Sequence, residues 1–381
     1  MISMQVLNLR FVILVCLAFV AANVIAVEPK TPKLAAKSYI LQDFNSGKII
    51  AEKNSMNRIE PASLTKMMSN YVIENELEMG NIQLTDEVKI SEKAWKMPGS
   101  RMFIEVNSKV SVEDLLKGII IQSGNDATVA MAEYIAGSEE SFVSLMNQYA
   151  RKIGMNSTHF VNATGLPHED HYTTAEDLAI LVRAIIQDFP EHYAWYSEKV
   201  FTYNGIKQYN RNKLLWQDKY VDGVKTGHTE SAGYCLASSA LKGDMRLIAV
   251  VLGTNSERAR ATESQKLLTF GFRFYETHRL YEADVKLTTA QVWKGEAEQF
   301  DLGLKDDLWV TIPRGEYKTL KATMSLDSRI VAPVTKGGVF GTVNVDLAGK
   351  PFITRDLAAL TDVKEGSFFS GIIDEVKMLF E

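Results

Sequence analysis

The sequence predicts a mixed α/β domain, an antiparallel sheet flanked by helices, followed by a small all-β domain and a terminal amphipathic helix. Three observations predict it. Hydrophobic hairpin patterns stand near both ends of residues 27–281, with helical periodicity between them. Beyond Tyr281 the composition shifts to short strand-like runs split by turns. Residues 366–381 place their apolar side chains on one helical face.

The chain has 381 residues, 46% hydrophobic and 23% charged. That supports two domains with sizeable cores. A net charge of -5 leaves no basic excess to neutralise phosphates, so nucleic acid is not expected as a partner.

Residues 1–26 read as a secretory signal peptide. Arg10 precedes the unbroken apolar run Phe11 to Val20, and Val24-Ile25-Ala26 fits a small-residue cleavage site. The alternative is an uncleaved anchor, since Asn23 is the one polar residue between Phe11 and Val27. Of the two cysteines, Cys16 falls in this segment, which leaves Cys235. No intramolecular disulfide is then possible in the mature chain. Cys235 sits in Tyr234-Cys235-Leu236-Ala237 and reads as a buried, inert thiol.

The elements of residues 27–281 follow in order. Two apolar runs around Asn45-Ser46-Gly47 predict a hairpin. From Pro61 to Asp188 the signals are helical, as in Leu115, Leu116, Ile119 and Ile120, or Leu178, Leu181, Val182 and Ile185. Tyr234 to Ser239 and Arg246 to Leu252, around Lys242-Gly243-Asp244, predict a second hairpin, hydrophobic enough to be central in a sheet. Residues 262–279 read as a helix. The sheet is expected to join the first and last segments of this domain.

Residues 282–364 read as the all-β domain, through Val285 to Leu287, Leu308 to Ile312 and Gly341 to Val345. In 365–381, Phe368, Phe369, Ile372, Ile373, Val376, Leu379 and Phe380 share one face of a helix. One reading docks it on the β domain. The other lays it in a membrane interface, where its single cation, Lys377, leaves apolar burial to supply the binding.

Three short patterns carry chemistry. Ser63 and Lys66 are three residues apart in Pro61-Ala62-Ser63-Leu64-Thr65-Lys66, so a helix puts both on one face. A serine needs an adjacent base, and a lysine serves if burial or a nearby cation lowers its pKa. Ser123-Gly124-Asn125 follows a helix. Lys225-Thr226-Gly227 precedes the second hairpin, where a glycine lets a ligand approach the backbone. Each pattern is weak alone, and Ser239 to Lys242 and Ser55 to Asn57 show the first two recurring by chance. Their order and spacing, about sixty and then about a hundred residues, make the combination specific. His168-Glu169-Asp170-His171 reads as a polar loop rather than a metal cluster, and no metal or other cofactor is expected.

This layout resembles the low-molecular-weight penicillin-binding proteins, specifically the D-alanyl-D-alanine carboxypeptidases. The resemblance extends over Ile59 to Met68, Gly118 to Ala127, Val221 to Thr229, the loop Met97 to Phe103, and the segment Thr173 to Ala179. It implies a penicillin-binding/β-lactamase-like fold and trimming of peptidoglycan pentapeptides at the periplasmic face of a bacterial inner membrane. It also implies covalent capture of β-lactams. Ser63 is then the acylated nucleophile and Lys66 its base. Ser123 relays a proton to the leaving amine, and Asn125 holds Lys66 or the substrate amide. Lys225 lowers the pKa of Lys66 and, with Thr226, meets the substrate carboxylate. Backbone N–H groups of Ser63 and His228 form the oxyanion hole, beside Gly227. Arg258 is expected to bind the carboxylate.

Other readings are a β-lactamase of the same fold, a D,D-endopeptidase, or a non-catalytic wall-binding protein. A class A β-lactamase uses a further glutamate, and no Glu-x-x-x-Asn occurs between Asn125 and Lys225.

Overall fold

Strand Met245–Thr254 is the middle of a five-stranded antiparallel sheet, and its residues alternate between two cores. In a computed structural model describing residues 29–367, the sheet order is Ile49–Lys53, Ser38–Asp43, Met245–Thr254, Gly233–Lys242, Val221–Thr229. The first segment of the domain therefore lies beside the last, with Ile40 opposite Val250.

Side chains two apart on a strand share a face. Ile40, Ile248, Val250 and Leu252 join the helical layer of residues 61–196 in one core. Leu41, Leu247, Ala249 and Val251 face the other way, onto Leu267, Leu268 and Phe270 of helix Glu257–Phe274. Helices thus cover both faces, and each fully buried Leu or Ile contributes about 1.5–3 kcal/mol.

The helix at the end of this domain lies earlier in the chain than the periodicity suggests, starting at Glu257. It stops at Phe274, and Tyr275–Tyr281 is a strand paired with Leu308–Pro313. Residues 275–279, expected as helix, are extended because this non-local pairing takes their backbone groups. Val285 to Leu287 is not a strand either; it leads into the strand Thr288–Gln291. A second antiparallel sheet follows, in the order Thr288–Gln291, Gln299–Gly303, Lys350–Ala359, Val339–Leu347, Leu320–Leu326. Phe300, Leu302, Val343, Val345 and Leu357 fill its separate core.

A buried polar knot joins the two domains. Asp43 accepts from Ser46 Oγ at 2.8 Å through one carboxylate oxygen and from Thr277 Oγ1 at 2.6 Å through the other. The Thr311 hydroxyl lies 2.6 Å from that of Ser46 and 2.9 Å from that of Thr277.

The expected signal peptide, residues 1–26, lies outside the described residues, as does nearly all of the expected terminal helix. Among the described residues, no helix is long and apolar enough to cross a membrane.

Candidate active site

The three sequence patterns meet at one cleft of about 450 Å³, lined among others by Ser63, Ser123, Asn125, Thr226, His228 and Arg260. Ser63 lies in a single 3₁₀ turn, Ala62–Leu64, that runs straight into helix Thr65–Glu78. Lys66, one turn on, is fully buried and its Nζ is 3.2 Å from Ser63 Oγ. The same amine donates to the Thr164 carbonyl at 2.5 Å.

Ser123 ends a π turn, Gly118–Gln122, with φ 65° and ψ 37°. A non-glycine residue in that left-handed region is strained, and such strain collects at functional sites. The distortion turns Ser123 Oγ toward Lys225, whose Nζ donates to it at 2.8 Å. Asn125 begins the next helix and donates from Nδ2 to the Pro98 carbonyl at 2.6 Å. It thus ties down the loop Met97 to Phe103. Asp126 finishes that task by accepting from the backbone N–H groups of Met102, Phe103 and Ile104.

Lys225, Thr226 and Gly227 sit on the edge strand Val221–Thr229. A Cβ on Gly227 would stand 3.1 Å from the Pro61 carbonyl oxygen and 3.2 Å from Ala62 Cβ. The glycine therefore admits the nucleophile turn, and it also lines the cleft. His228 is exposed at the cleft edge and stacks on Tyr234, with ring centroids 3.9 Å apart.

Burial governs the charges. Desolvation, helped by the Arg211 guanidinium, brings the Lys66 amine down to about 7, while Asp126 opposes the shift. Lys225 is held well below its ordinary value by burial first, then by Lys66, Arg211 and Arg260. Loss of water thus outweighs the lysine–lysine repulsion that the sequence suggested. The arrangement supplies a neutral amine against a serine hydroxyl, with a second amine against a second hydroxyl.

One site residue is misplaced by the sequence reading. Arg258 is exposed and does not line the cleft; Arg260 does, buried and donating to the Gly227 carbonyl at 3.2 Å. Residues two apart on a helix point about 200° apart, so one of the pair faces in. Arg260 shares its stripe with the buried Ser264, Leu267 and Gly271, and that phase was readable in the sequence. Arg211 was missed altogether. It lies in the Asn210-Arg211-Asn212 loop, donating to the Gln122 carbonyl at 3.1 Å, and no local pattern marks it.

The acidic–histidine loop divides. His168, Glu169 and Asp170 are exposed, but His171 is buried, contrary to the polar-loop reading. Among the described residues, no group of His, Cys, Asp and Glu is arranged to hold a metal. Cys235 is buried, and burial pushes its thiol up to about 11.

The family model described as D-alanyl-D-alanine carboxypeptidase matches residues 25–256, and that of the penicillin-binding protein 5 C-terminal domain matches residues 275–365. D-alanyl-D-alanine carboxypeptidase DacA of Escherichia coli is 45% identical over 379 residues, 96% of this chain and 94% of that protein. Penicillin binding protein 5 of Haemophilus influenzae superposes with a TM-score of 0.86 at 44% identity, over 88% of this chain and 100% of that one. Penicillin-binding protein D2 of Listeria monocytogenes, in an ampicillin-bound form, gives 0.59 at 27% identity over 64% of this chain and 100% of that one. This chain belongs to the D-alanyl-D-alanine carboxypeptidase family of serine peptidases, the low-molecular-weight penicillin-binding proteins.

Proposed function

We propose that this carboxypeptidase removes the terminal D-alanine of peptidoglycan pentapeptide stems through an acyl-enzyme on Ser63. The reading is carried by the Lys66 amine, buried, lowered to about 7 and 3.2 Å from Ser63 Oγ.

The amine takes the hydroxyl proton as Ser63 Oγ attacks the carbonyl of the penultimate residue. Backbone N–H groups of Ser63 and His228 receive the oxyanion, each such donor being worth roughly 2.7–4 kcal/mol. The C–N bond then breaks. Ser123, held by Lys225, hands its proton to the leaving amine and recovers one from the protonated Lys66, which is left neutral. Thr226 and Arg260, with the field of Lys225 and Arg211, hold the terminal carboxylate. Asn125 fixes the cleft loop and faces the substrate amide. Water then attacks the ester, and Lys66 serves again as its base.

β-Lactams acylate the same serine. Their leaving amine stays tethered to the adduct, which slows its loss. A relative with an ampicillin-bound structure supports the capture of β-lactams.

The enzyme works in the periplasm after removal of residues 1–26, attached peripherally to the outer face of the inner membrane through residues 365–381. The one-sided apolar pattern of that segment supports the attachment. Deleting residues 366–381 then moves the protein from the membrane to the soluble fraction.

Intact-mass analysis after benzylpenicillin treatment, beside a D-alanine release assay on pentapeptide, tests the chemistry. A single adduct on Ser63, abolished in Ser63→Ala, together with D-alanine release, is expected. An adduct that survives Ser63→Ala sinks the assignment.

A further inference from the structure

His171 is a buried titratable group, about 1% exposed, that the chemistry above leaves unused. Its surroundings give it a defined tautomer. Nδ1 lies 3.1 Å from the backbone nitrogen of Val161, which has a proton to donate. Nδ1 therefore accepts, so in the neutral ring Nε2 carries the hydrogen. That N–H then donates to Thr65 Oγ1 at 2.8 Å. Phe160 closes the site edge-on, with ring centroids 5.7 Å apart.

Both ends of this bridge matter. Thr65 lies between Ser63 and Lys66, at the first turn of the nucleophile helix. Val161 opens the loop whose Thr164 carbonyl receives the Lys66 amine. Inside the loop, Asn162 Oδ1 accepts from the N–H groups of Thr164 and Gly165, at 3.1 and 2.7 Å. The loop is thus braced from within, and His171 clamps it to the helix.

We propose that His171 is a positioning residue for the catalytic base, holding the Thr164 carbonyl where it fixes the rotation and the dryness of the Lys66 amine. A neutral amine has two N–H bonds and one lone pair. Committing one N–H to Thr164 turns the lone pair toward Ser63. A closed loop also excludes the water that would return the amine to its ordinary basicity. The ring stays neutral at working pH, because burial, then His159, His168 and Lys66, bring it down to about 4.

The proposal rests on Lys66 as the base, so Lys66→Ala is measured alongside; near-normal acylation there defeats that reading separately. The main experiment follows benzylpenicillin acylation against pH for the parent and four variants. His171→Leu is expected to acylate about tenfold more slowly, with its acid limb moved to higher pH as water reaches Lys66. Thr65→Val, which keeps shape and removes the acceptor, is expected to move the limb the same way. The double variant should lose little beyond either single change. His171→Gln offers one acceptor and one donor and should recover most of the rate and the parental limb. An unmoved limb in both single variants overturns the proposal, as do additive losses or a glutamine variant no better than leucine.

Discussion

Lys225 gives its amine to Ser123 Oγ at 2.8 Å, while Lys66 holds Ser63 Oγ at 3.2 Å. The two lysines therefore serve two hydroxyls, of which the proposed chemistry uses one for attack and one for departure. Ser123→Ala removes the proton route to the leaving amine without touching the nucleophile. Pentapeptide turnover is expected to fall about 100-fold or more, measured as D-alanine release, with the thermal midpoint nearly unchanged. Loss of folding in place of loss of turnover contradicts the role.

Arg260 and Arg258 differ by their phase on one helix. Removing a charge-assisted contact to the substrate carboxylate costs about 1.5–3 kcal/mol. Arg260→Ala should therefore weaken kcat/KM on pentapeptide about 10- to 100-fold, mainly through KM. Arg258→Ala should match the parent in the same assay. Equal losses in both would place the carboxylate elsewhere.

The Lys66 amine also sets two pH dependences. Acylation follows its neutral fraction, so the rate should drop about tenfold per pH unit below 7. Stability moves in a definite direction too. The folded amine sits near 7, below its ordinary 10.5, so between those values the unfolded chain binds the extra proton. Stability attributable to this group then rises with pH across that window, by at most about 1.4 kcal/mol per unit. Against Lys66→Met, the parent should gain stability from pH 7 to pH 10 in urea titrations. A constant gap would mean the amine is charged in the folded enzyme.

Gly165 has φ +86°, and a Cβ there would fall 1.8 Å from the Ala62 carbonyl oxygen. Gly165→Ala must push the loop off the nucleophile turn. Both slower penicillin acylation and a loss of at least about 1 kcal/mol are expected, read by stopped flow and by denaturant midpoint. A fully active Gly165→Ala enzyme would show that the loop's closeness is dispensable.

What the sequence revealed follows from the range of each interaction. The hairpins at Asn45 to Gly47 and Lys242 to Asp244 are local, and the pairing of Ile40 with Val250 follows from their hydrophobic faces. The Ser63, Ser123 and Lys225 patterns were legible because the chemistry restricts both type and order. Tyr275 to Arg279 misled, because residues with helical neighbours were captured by a distant strand. His171 and Arg211 were hidden for a related reason. Each is defined by partners from other segments, Thr65 and Val161 for one, Gln122 for the other.

The Thr311 hydroxyl crosses the seam between the two domains to those of Ser46 and Thr277, both of which the Asp43 carboxylate holds. Rotation there would leave the buried hydroxyls of Thr277 and Thr311 without these partners, at about 1–3 kcal/mol each. These bonds favour one setting of the β domain, that of a strut and not of a swinging arm. A strut turns domain length into altitude: wherever residue 365 is held, the serine stands at one constant distance from that point. An enzyme held there as proposed would reach only the stem peptides passing at that height.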